Sequence, residues 1–446
     1  MLVSQVIEQP SANKSKMPHE IPKWEAEALK HIWLPYTQMQ TTPLPLPVVS
    51  ARGVRITLAD GRELIDGIAS WWCACHGYRH PHITTQVVRQ LDTLPHVMFA
   101  GLAHEPAYTL ARRLASITPK GLNRVFFSDS GSTAVEVAMK VAAQFWSNQK
   151  KPCKSKFVCF RNGYHGDTMG CMSLADPEKG MHRTFHGYMP KQYVFNIPND
   201  KSDFVAFEKS LADSKEMVAG LIIEPLVQAA GGMKFHSAET LAEIHHLCKK
   251  HELLFIADEI ATGFGRTGSM FACDAANITP DLMCLGKALT GGTMGLAATL
   301  ATEAIFECFL SDTLETALMH GPTFMANPLA CVAANASLDL FEQEPRINQI
   351  QAIETQLREE LRPCRKLDNV GDVRVKGGIG VVQLSNPSWE YILQLRQKFI
   401  EAGVWLRPFS DVIYIMPAFT ISSEELAQLT NTVFDVLQKT CTGKTS

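Results

Sequence analysis

The sequence predicts an α/β protein with a large domain on a mainly parallel sheet and a smaller α+β domain. Three observations carry this. From about residue 80, short apolar strands alternate with helical patterns, the order expected of βαβ units. Two strands, residues 253–257 and 282–285, are apolar throughout, like strands buried on both faces, and stop abruptly at Asp258-Glu259 and Gly286-Lys287. Beyond about residue 345 the texture changes to a charged helical stretch and short valine-rich strands.

Size and composition narrow the function. A chain of 446 residues is too long for one small core and points to two or three domains. With 46% hydrophobic and 20% charged residues and a net charge of −3, it is an ordinary globular composition with no bias toward nucleic acid or anionic membrane. The 12 cysteines are scattered, largely in apolar contexts, which suits reduced thiols in the cytosol rather than a disulfide framework. Cys73, Cys75, His76, His80 and His82 crowd together, but no CxxC exists in the chain and Trp71-Trp72 precede them, so a pocket wall is expected there and no metal. The first twenty residues have no signal-peptide core and no 18-residue apolar run occurs, so a soluble, cytoplasmic protein is expected.

In chain order, residues 1–22 carry Pro10, Pro18 and Pro22 and read as a loose leader. HIWLPYTQM (31–39), with Pro35 and then Pro43, Pro45 and Pro47, forbids helix and reads as an extended arm. Val54, Ile56 and Leu58 alternate up to Asp60-Gly61, and Leu64 and Asp66 continue beyond, a hairpin signal. Trp71, Trp72, His76, Gly77 and Tyr78 form an aromatic loop that serves either as core or as a pocket lining. Residues 124–127 read as a strand, Ser128 to Ser132 as a turn, and Val135, Ala138, Met139, Ala142 and Trp146 as a helix, with Thr133 and Glu136 at capping-box spacing. A Ser/Gly turn between strand and helix start is an anion site, because free N–H groups and the positive helix end point at it. It is not a nucleotide P-loop, since GxxxxGK[ST] is absent.

Further on, residues 157–160 lead into Asn162-Gly163-Tyr164-His165-Gly166-Asp167, and 221–223 end in Glu224-Pro225 with Gln228 nearby. His320-Gly321-Pro322-Thr323 precedes Asn327-Pro328, a capped helix start. Arg407, caught between Leu406 and Pro408 in an apolar strand, is either a structural ion pair or a carboxylate clamp.

An acid and a lysine at two strand ends also make a plain salt bridge. Lys287 in an apolar setting, however, has the lowered pKa of a Schiff-base nucleophile. Pyridoxal phosphate wants such a lysine, and an acid against its ring nitrogen, which Asp258 supplies 29 residues earlier (287 − 258). Its phosphate wants an anion site, at Ser130-Gly131, and its ring a stacking partner, at Tyr164.

From about His31 to Pro417 the chain resembles the class III pyridoxal-phosphate aminotransferases. The resemblance rests on HIWLPYTQM, SWWCACHGYRHP, DSGSTAVEVAMK, FRNGYHGDTMG, ADEIATGFGRTG, CLGKALTGGTMGL, MHGPTFMANPLAC and GVWLRPF. It implies a fold-type I pyridoxal-phosphate-dependent transferase: residues 69–345 would form the large cofactor-binding domain, and 23–68 together with 346–446 the smaller one. It implies that Lys287 carries the cofactor and shuttles the proton, that Asp258 meets the pyridine nitrogen, and that Ser130 and Gly131 meet the phosphate. Pro322 and Thr323 would reach the phosphate from the neighbouring subunit of a homodimer with shared active sites. Tyr164 would stack on the cofactor ring and border the substrate; Tyr36, Trp71 and Gly321 would line the substrate channel, and Arg407 would hold a carboxylate. Glu224, Gln228, Arg266 and Tyr414 are placed in or near the site without assigned roles. Within the class, the Trp-Trp and Pro-Tyr-Thr elements are similar to the branch that aminates 8-amino-7-oxononanoate, with S-adenosylmethionine as donor, in biotin biosynthesis. Another ω-aminotransferase, on ornithine, 4-aminobutyrate or a diamine, and a same-fold aminomutase remain as alternatives. A scaffold that has lost its chemistry is disfavoured by the lysine and its acid both being in place.

Overall fold

The computed structural model describes residues 23–441; the leader expected over residues 1–22 lies outside them. The alternating stretch that follows the proline-rich arm forms β1 (Val48–Arg52), β2 (Arg55–Leu58) and β3 (Glu63–Asp66), a meander whose β2–β3 turn sits at Asp60-Gly61. Gly61 turns there with φ +86, a conformation that costs glycine nothing.

The central sheet has seven strands. In chain order they are β4 (Leu122–Ser128), β5 (Lys156–Phe160), β6 (Tyr193–Phe195), β7 (Val218–Ile223), β8 (Leu254–Asp258), β9 (Leu282–Leu285) and β10 (Ala297–Thr302). In space they run β4-β10-β9-β8-β7-β5-β6, and β10 alone runs against the rest. The strands β7, β8 and β9 are buried along their whole length, as apolar runs covered on both faces must be. Phe255 lies fully buried in this core, so truncating it to alanine costs roughly 3–5 kcal/mol. Asp258 stands opposite Cys284 in the parallel β8–β9 pair, which puts Asp258 and Lys287 at the same carboxyl edge. That edge is where open α/β sheets bind ligands.

Helix α1 (Gly131–Asn148) follows β4 and buries Val135, Ala138, Met139, Ala142 and Trp146 against the sheet. Its start corrects the capping box expected at Thr133 and Glu136. Ser130 is the cap: its backbone is extended (φ −148, ψ 159) and its Oγ accepts the Thr133 N–H at 3.3 Å. Glu136 instead accepts the Gly170 N–H at 2.7 Å. Helix α2 (Pro328–Gln343) starts as its Asn-Pro sequence predicts, with the Asn327 side chain accepting from the Ala330 N–H.

The chain from Arg346 onward holds α3 (Arg346–Leu361), an antiparallel sheet of β11 (Val370–Lys376), β12 (Ile379–Leu384) and β14 (Val412–Ile415), and the closing helix α4 (Ser423–Cys441). Between β12 and β14, β13 (Val404–Trp405) pairs in parallel with β3, Val404 opposite Ile65 and Trp405 opposite Asp66. The N-terminal meander and this C-terminal segment thus share one sheet. Among the described residues, no helix is long and apolar enough to cross a membrane.

Candidate active site

Strand alternation separates the acids at the end of β8. Asp258 faces the sheet edge, where its Oδ2 lies 2.7 Å from His165 Nδ1 and its Oδ1 accepts the Ile260 N–H at 3.2 Å. Glu259 turns the other way, accepting from Thr262 Oγ1 (2.5 Å) and the Cys273 N–H (2.8 Å). Burial would push His165 down, but the hydrogen bond and charge of Asp258 hold it above its ordinary pKa. Burial raises Glu224, at the end of β7, to about 7, while the Tyr164 and Ala229 N–H groups each donate to it at 3.0 Å.

Lys287 follows β9 with φ +45, a left-handed conformation that is uncommon outside glycine. Burial lowers its amine from 10.5 to about 8. Its Nζ sits 4.0 Å from the centre of the Trp72 ring, over a cavity of roughly 150 Å³ lined also by Gly131, Tyr164, His165 and Asp258. Gly131 is needed for fit: a Cβ there would stand 3.0 Å from Ile260 Cδ1.

The outer wall is aromatic. The Tyr36 hydroxyl lies 3.0 Å from that of Tyr164 and donates a short hydrogen bond to Asp167, which also meets His182 Nε2 at 2.9 Å. The Tyr36 ring meets Trp71 edge-on at 6.0 Å, and the Arg407 guanidinium stands 5.2 Å above the Trp71 ring. Arg407 has no ion pair among the described residues, which favours the clamp over the structural pair. Trp71 and Trp72 belong to a single helical turn, Ala69–Trp72, of left-handed sense: φ is 45, 48, 55 and 75 across four non-glycine residues. Each such residue costs on the order of 1–2 kcal/mol.

The structure therefore brings together Lys287, Asp258, Gly131 and Tyr164 around the cavity, with Ser130 capping the adjoining helix and Tyr36, Trp71 and Arg407 outside it. Gly321, Pro322 and Thr323 do not line this cavity, and nothing lies within 4 Å of a Cβ placed on Gly321. Tyr414 is buried edge-on to Trp72 at 6.2 Å. Gln228 donates to the Arg161 carbonyl at 2.8 Å. Arg266 is buried, donates to the Pro417 carbonyl at 2.8 Å and lies over the Phe419 ring. Neither of these last two faces the cavity. Reasoning from sequence missed His165, Trp72 and Asp167; the first and last follow Tyr164 in FRNGYHGDTMG, and Trp72 lay in the aromatic loop without a role.

A lysine of lowered pKa, a strand-end acid and a helix N-terminus around one cavity fit comparison with known proteins. The family model for class III aminotransferases matches residues 36–437. The chain belongs to the class III aminotransferases. It is 43% identical over 420 residues to the adenosylmethionine-8-amino-7-oxononanoate aminotransferase of Buchnera aphidicola subsp. Acyrthosiphon pisum, covering 92% of this chain and 97% of that one. The protein of the same description from Corynebacterium glutamicum is 43% identical over 408 residues, covering 90% and 95%. The crystal structure of the one from Methanocaldococcus jannaschii superimposes with a TM-score of 0.90 at 33% identity, covering 93% and 98%. An amine transaminase from an uncultivated Pseudomonas species, solved with pyridoxal phosphate bound, gives 0.85 at 29% identity, covering 92% and 98%. Class III aminotransferases depend on pyridoxal phosphate. The residues here fit that cofactor: the cavity offers an amine, an acid and a row of helix-start N–H groups.

Proposed function

We propose that this chain transfers the amino group of S-adenosylmethionine to 8-amino-7-oxononanoate, giving 7,8-diaminononanoate in biotin biosynthesis. One observation carries the reading: Lys287 and Asp258 share a cavity whose outer wall joins Tyr36, Trp71 and the uncommitted cation Arg407. The relatives at 43% identity that bear this activity in their names support the choice of substrates.

Bound at Lys287, pyridoxal phosphate supplies an electron sink that lets the Cα–H bond of an amino donor ionise and an amino group pass to a ketone. The Lys287 amine, lowered to about 8, is partly unprotonated near neutrality and can accept and return a proton at its Nζ. Asp258 would meet the pyridine nitrogen through its carboxyl group, which His165 orients from 2.7 Å. The N–H groups at the start of α1 bind a phosphate, and Tyr164, tethered by its own N–H to Glu224, walls the ring. Arg407 binds a substrate carboxylate, while Tyr36 and Trp71 exclude water with a surface that accepts either a sulfonium or an aliphatic chain.

We place Gly321, Pro322 and Thr323 in the site of a second copy. Met319 and Phe324, which flank them, are 72% and 57% exposed, the apolar surface such a homodimer would cover. Eleven of the twelve cysteines are free, which supports a reducing, cytoplasmic setting.

The purified protein, given pyridoxal phosphate and both substrates, should form 7,8-diaminononanoate, and a donor screen including lysine, ornithine and 4-aminobutyrate should favour S-adenosylmethionine. No diaminononanoate with any donor would overturn the reading. Turnover of one substrate without an acceptor would indicate an aminomutase. At limiting pyridoxal phosphate, mixing Lys287→Ala with Thr323→Ala chains should give more activity than the two measured apart, through hybrid dimers, and no gain would argue against shared sites.

A further inference from the structure

The left-handed turn Ala69–Trp72 has no glycine to make it easy, so something outside the turn must hold it. The local bonds, Trp72 N–H to the Ile68 carbonyl at 2.9 Å and Ala74 N–H to the Ala69 carbonyl at 3.0 Å, tie the turn only to itself. Two side chains reach it, Asp66 from the end of β3 and Tyr78 from the loop that follows the turn. Asp66, 2% exposed, accepts the Ile68 N–H through Oδ1 at 2.9 Å and the Ser70 N–H through Oδ2 at 3.0 Å. The Tyr78 hydroxyl donates to the same Oδ2 at 2.5 Å and lies 2.5 Å from Ser70 Oγ.

Both side chains are fixed. The Asp66 N–H donates to the Val54 carbonyl at 2.8 Å, and the neighbouring Gly67 is bonded to Trp405 and Met416. Tyr78 is held by paired backbone bonds to Gly53. The turn itself sets two indoles: Trp72 under the Lys287 amine and Trp71 beneath Arg407 and beside Tyr36.

We propose that Asp66, with Tyr78, is a positioning residue that holds the Ala69–Trp72 turn left-handed and thereby sets both indoles of the active site. The link to substrate rests on the reading of Trp71 as a substrate wall; the link to the turn does not. An asparagine at position 66 keeps the shape but offers one acceptor oxygen, leaving either the Ile68 or the Ser70 N–H unmet and the turn free to relax.

The test compares Asp66→Asn, Tyr78→Phe and the double variant Asp66→Asn/Ala69→Gly with the parent holoenzyme. In Asp66→Asn the near-ultraviolet circular dichroism should lose the bands that Trp71→Phe and Trp72→Phe also remove. KM for both substrates should rise about tenfold or more, with kcat within a few fold and cofactor content unchanged. Tyr78→Phe, which removes a single hydroxyl, should move both readouts in the same direction by less, and serves should Asp66→Asn not fold. Ala69→Gly should recover most of the loss, because glycine adopts this φ without strain. An indole spectrum and KM values unchanged in both single variants, or no recovery by the glycine, would overturn the proposal. Trp71→Ala run alongside separates the two readings: unchanged KM there refutes Trp71 as substrate wall, while the indole spectra still decide whether Asp66 holds the turn.

Discussion

Lys287 is a buried amine that the proposed chemistry requires at a cost to the fold, and replacing it by methionine isolates that cost. The variant keeps the apolar stem and removes only the amine. Burial shifts the amine from 10.5 to about 8, a gap of 2.5 that corresponds to roughly 3 kcal/mol against the ammonium. The Trp72 face at 4.0 Å offsets this by about 0.5–2 kcal/mol, an attraction methionine forfeits. The apoenzyme with Lys287→Met should therefore be more stable than the parent by about 1–3 kcal/mol at pH 7. The sign follows from linkage. Below pH 8 both folded and unfolded parent chains carry the proton and the penalty is complete. Between about 8 and 10.5 the unfolded chain binds more protons than the folded one, so the parent gains stability as pH rises and the advantage of methionine fades. Urea denaturation of both apoenzymes at pH 7 and pH 10.5, followed by far-ultraviolet circular dichroism, measures this. A methionine variant less stable than the parent at pH 7, or an advantage undiminished at pH 10.5, would refute the reasoning.

Other substitutions test the remaining groups. Asp258→Asn removes the acid proposed for the pyridine nitrogen, so the electron sink weakens and kcat should fall about a hundredfold or more in steady-state assays. His165→Phe leaves Asp258 intact but without its charged donor; equilibrium dialysis should show cofactor held about 10–100-fold more weakly, the equivalent of a charged hydrogen bond of about 1.5–3 kcal/mol. Arg407→Lys keeps the charge and loses the fork, so KM for carboxylate substrates should rise about tenfold in steady-state assays while the cofactor spectrum stays the same. Gly131→Ala forces a Cβ to 3.0 Å from Ile260 Cδ1 and should weaken cofactor binding more than it lowers the melting temperature.

The groups legible in the sequence were those at the carboxyl ends of parallel strands, because there an apolar run followed by a charge has few structural meanings. Asp258, Lys287 and the Ser130-Gly131 helix start are of that kind, and the sheet delivers them to one edge. His165 was hidden because its partner is 93 residues away in sequence, and only the packing of β5 beside β7 and β8 brings them together. The turn at Ala69–Trp72 was hidden for the opposite reason: every residue in it prefers another conformation, so local preference argued against what Asp66 and Tyr78 impose. Gln228 and Arg266 show the limit of placing residues by neighbourhood alone, since one serves the Arg161 carbonyl and the other ties the β8–β9 connection to the chain after β14.

Charge balance in the cavity links the two halves of the functional reading. Burial lowers Lys287 to about 8 and raises Glu224 to about 7, so the same desolvation moves both toward neutrality. Asp258 lies 2.7 Å from His165, so any charge on that imidazole is offset beside it. No arginine lines the cavity, and Lys287 is its one lysine. A phosphate brought here therefore meets little net positive charge from this chain beyond the N–H groups at the start of α1, which act as about half a unit charge. That shortfall supports our placing Thr323 and its neighbours over the site of a second copy, where a hydroxyl and backbone N–H groups would complete the anion's shell. Cofactor affinity should then depend on protein concentration. Diluted until the dimers separate, as read by analytical ultracentrifugation, the protein should release pyridoxal phosphate, and Thr323→Ala should lose cofactor about tenfold more readily even as a dimer. Retention of cofactor by the separated chains would show that this chain's own helix start suffices and that the loop serves only to join the subunits.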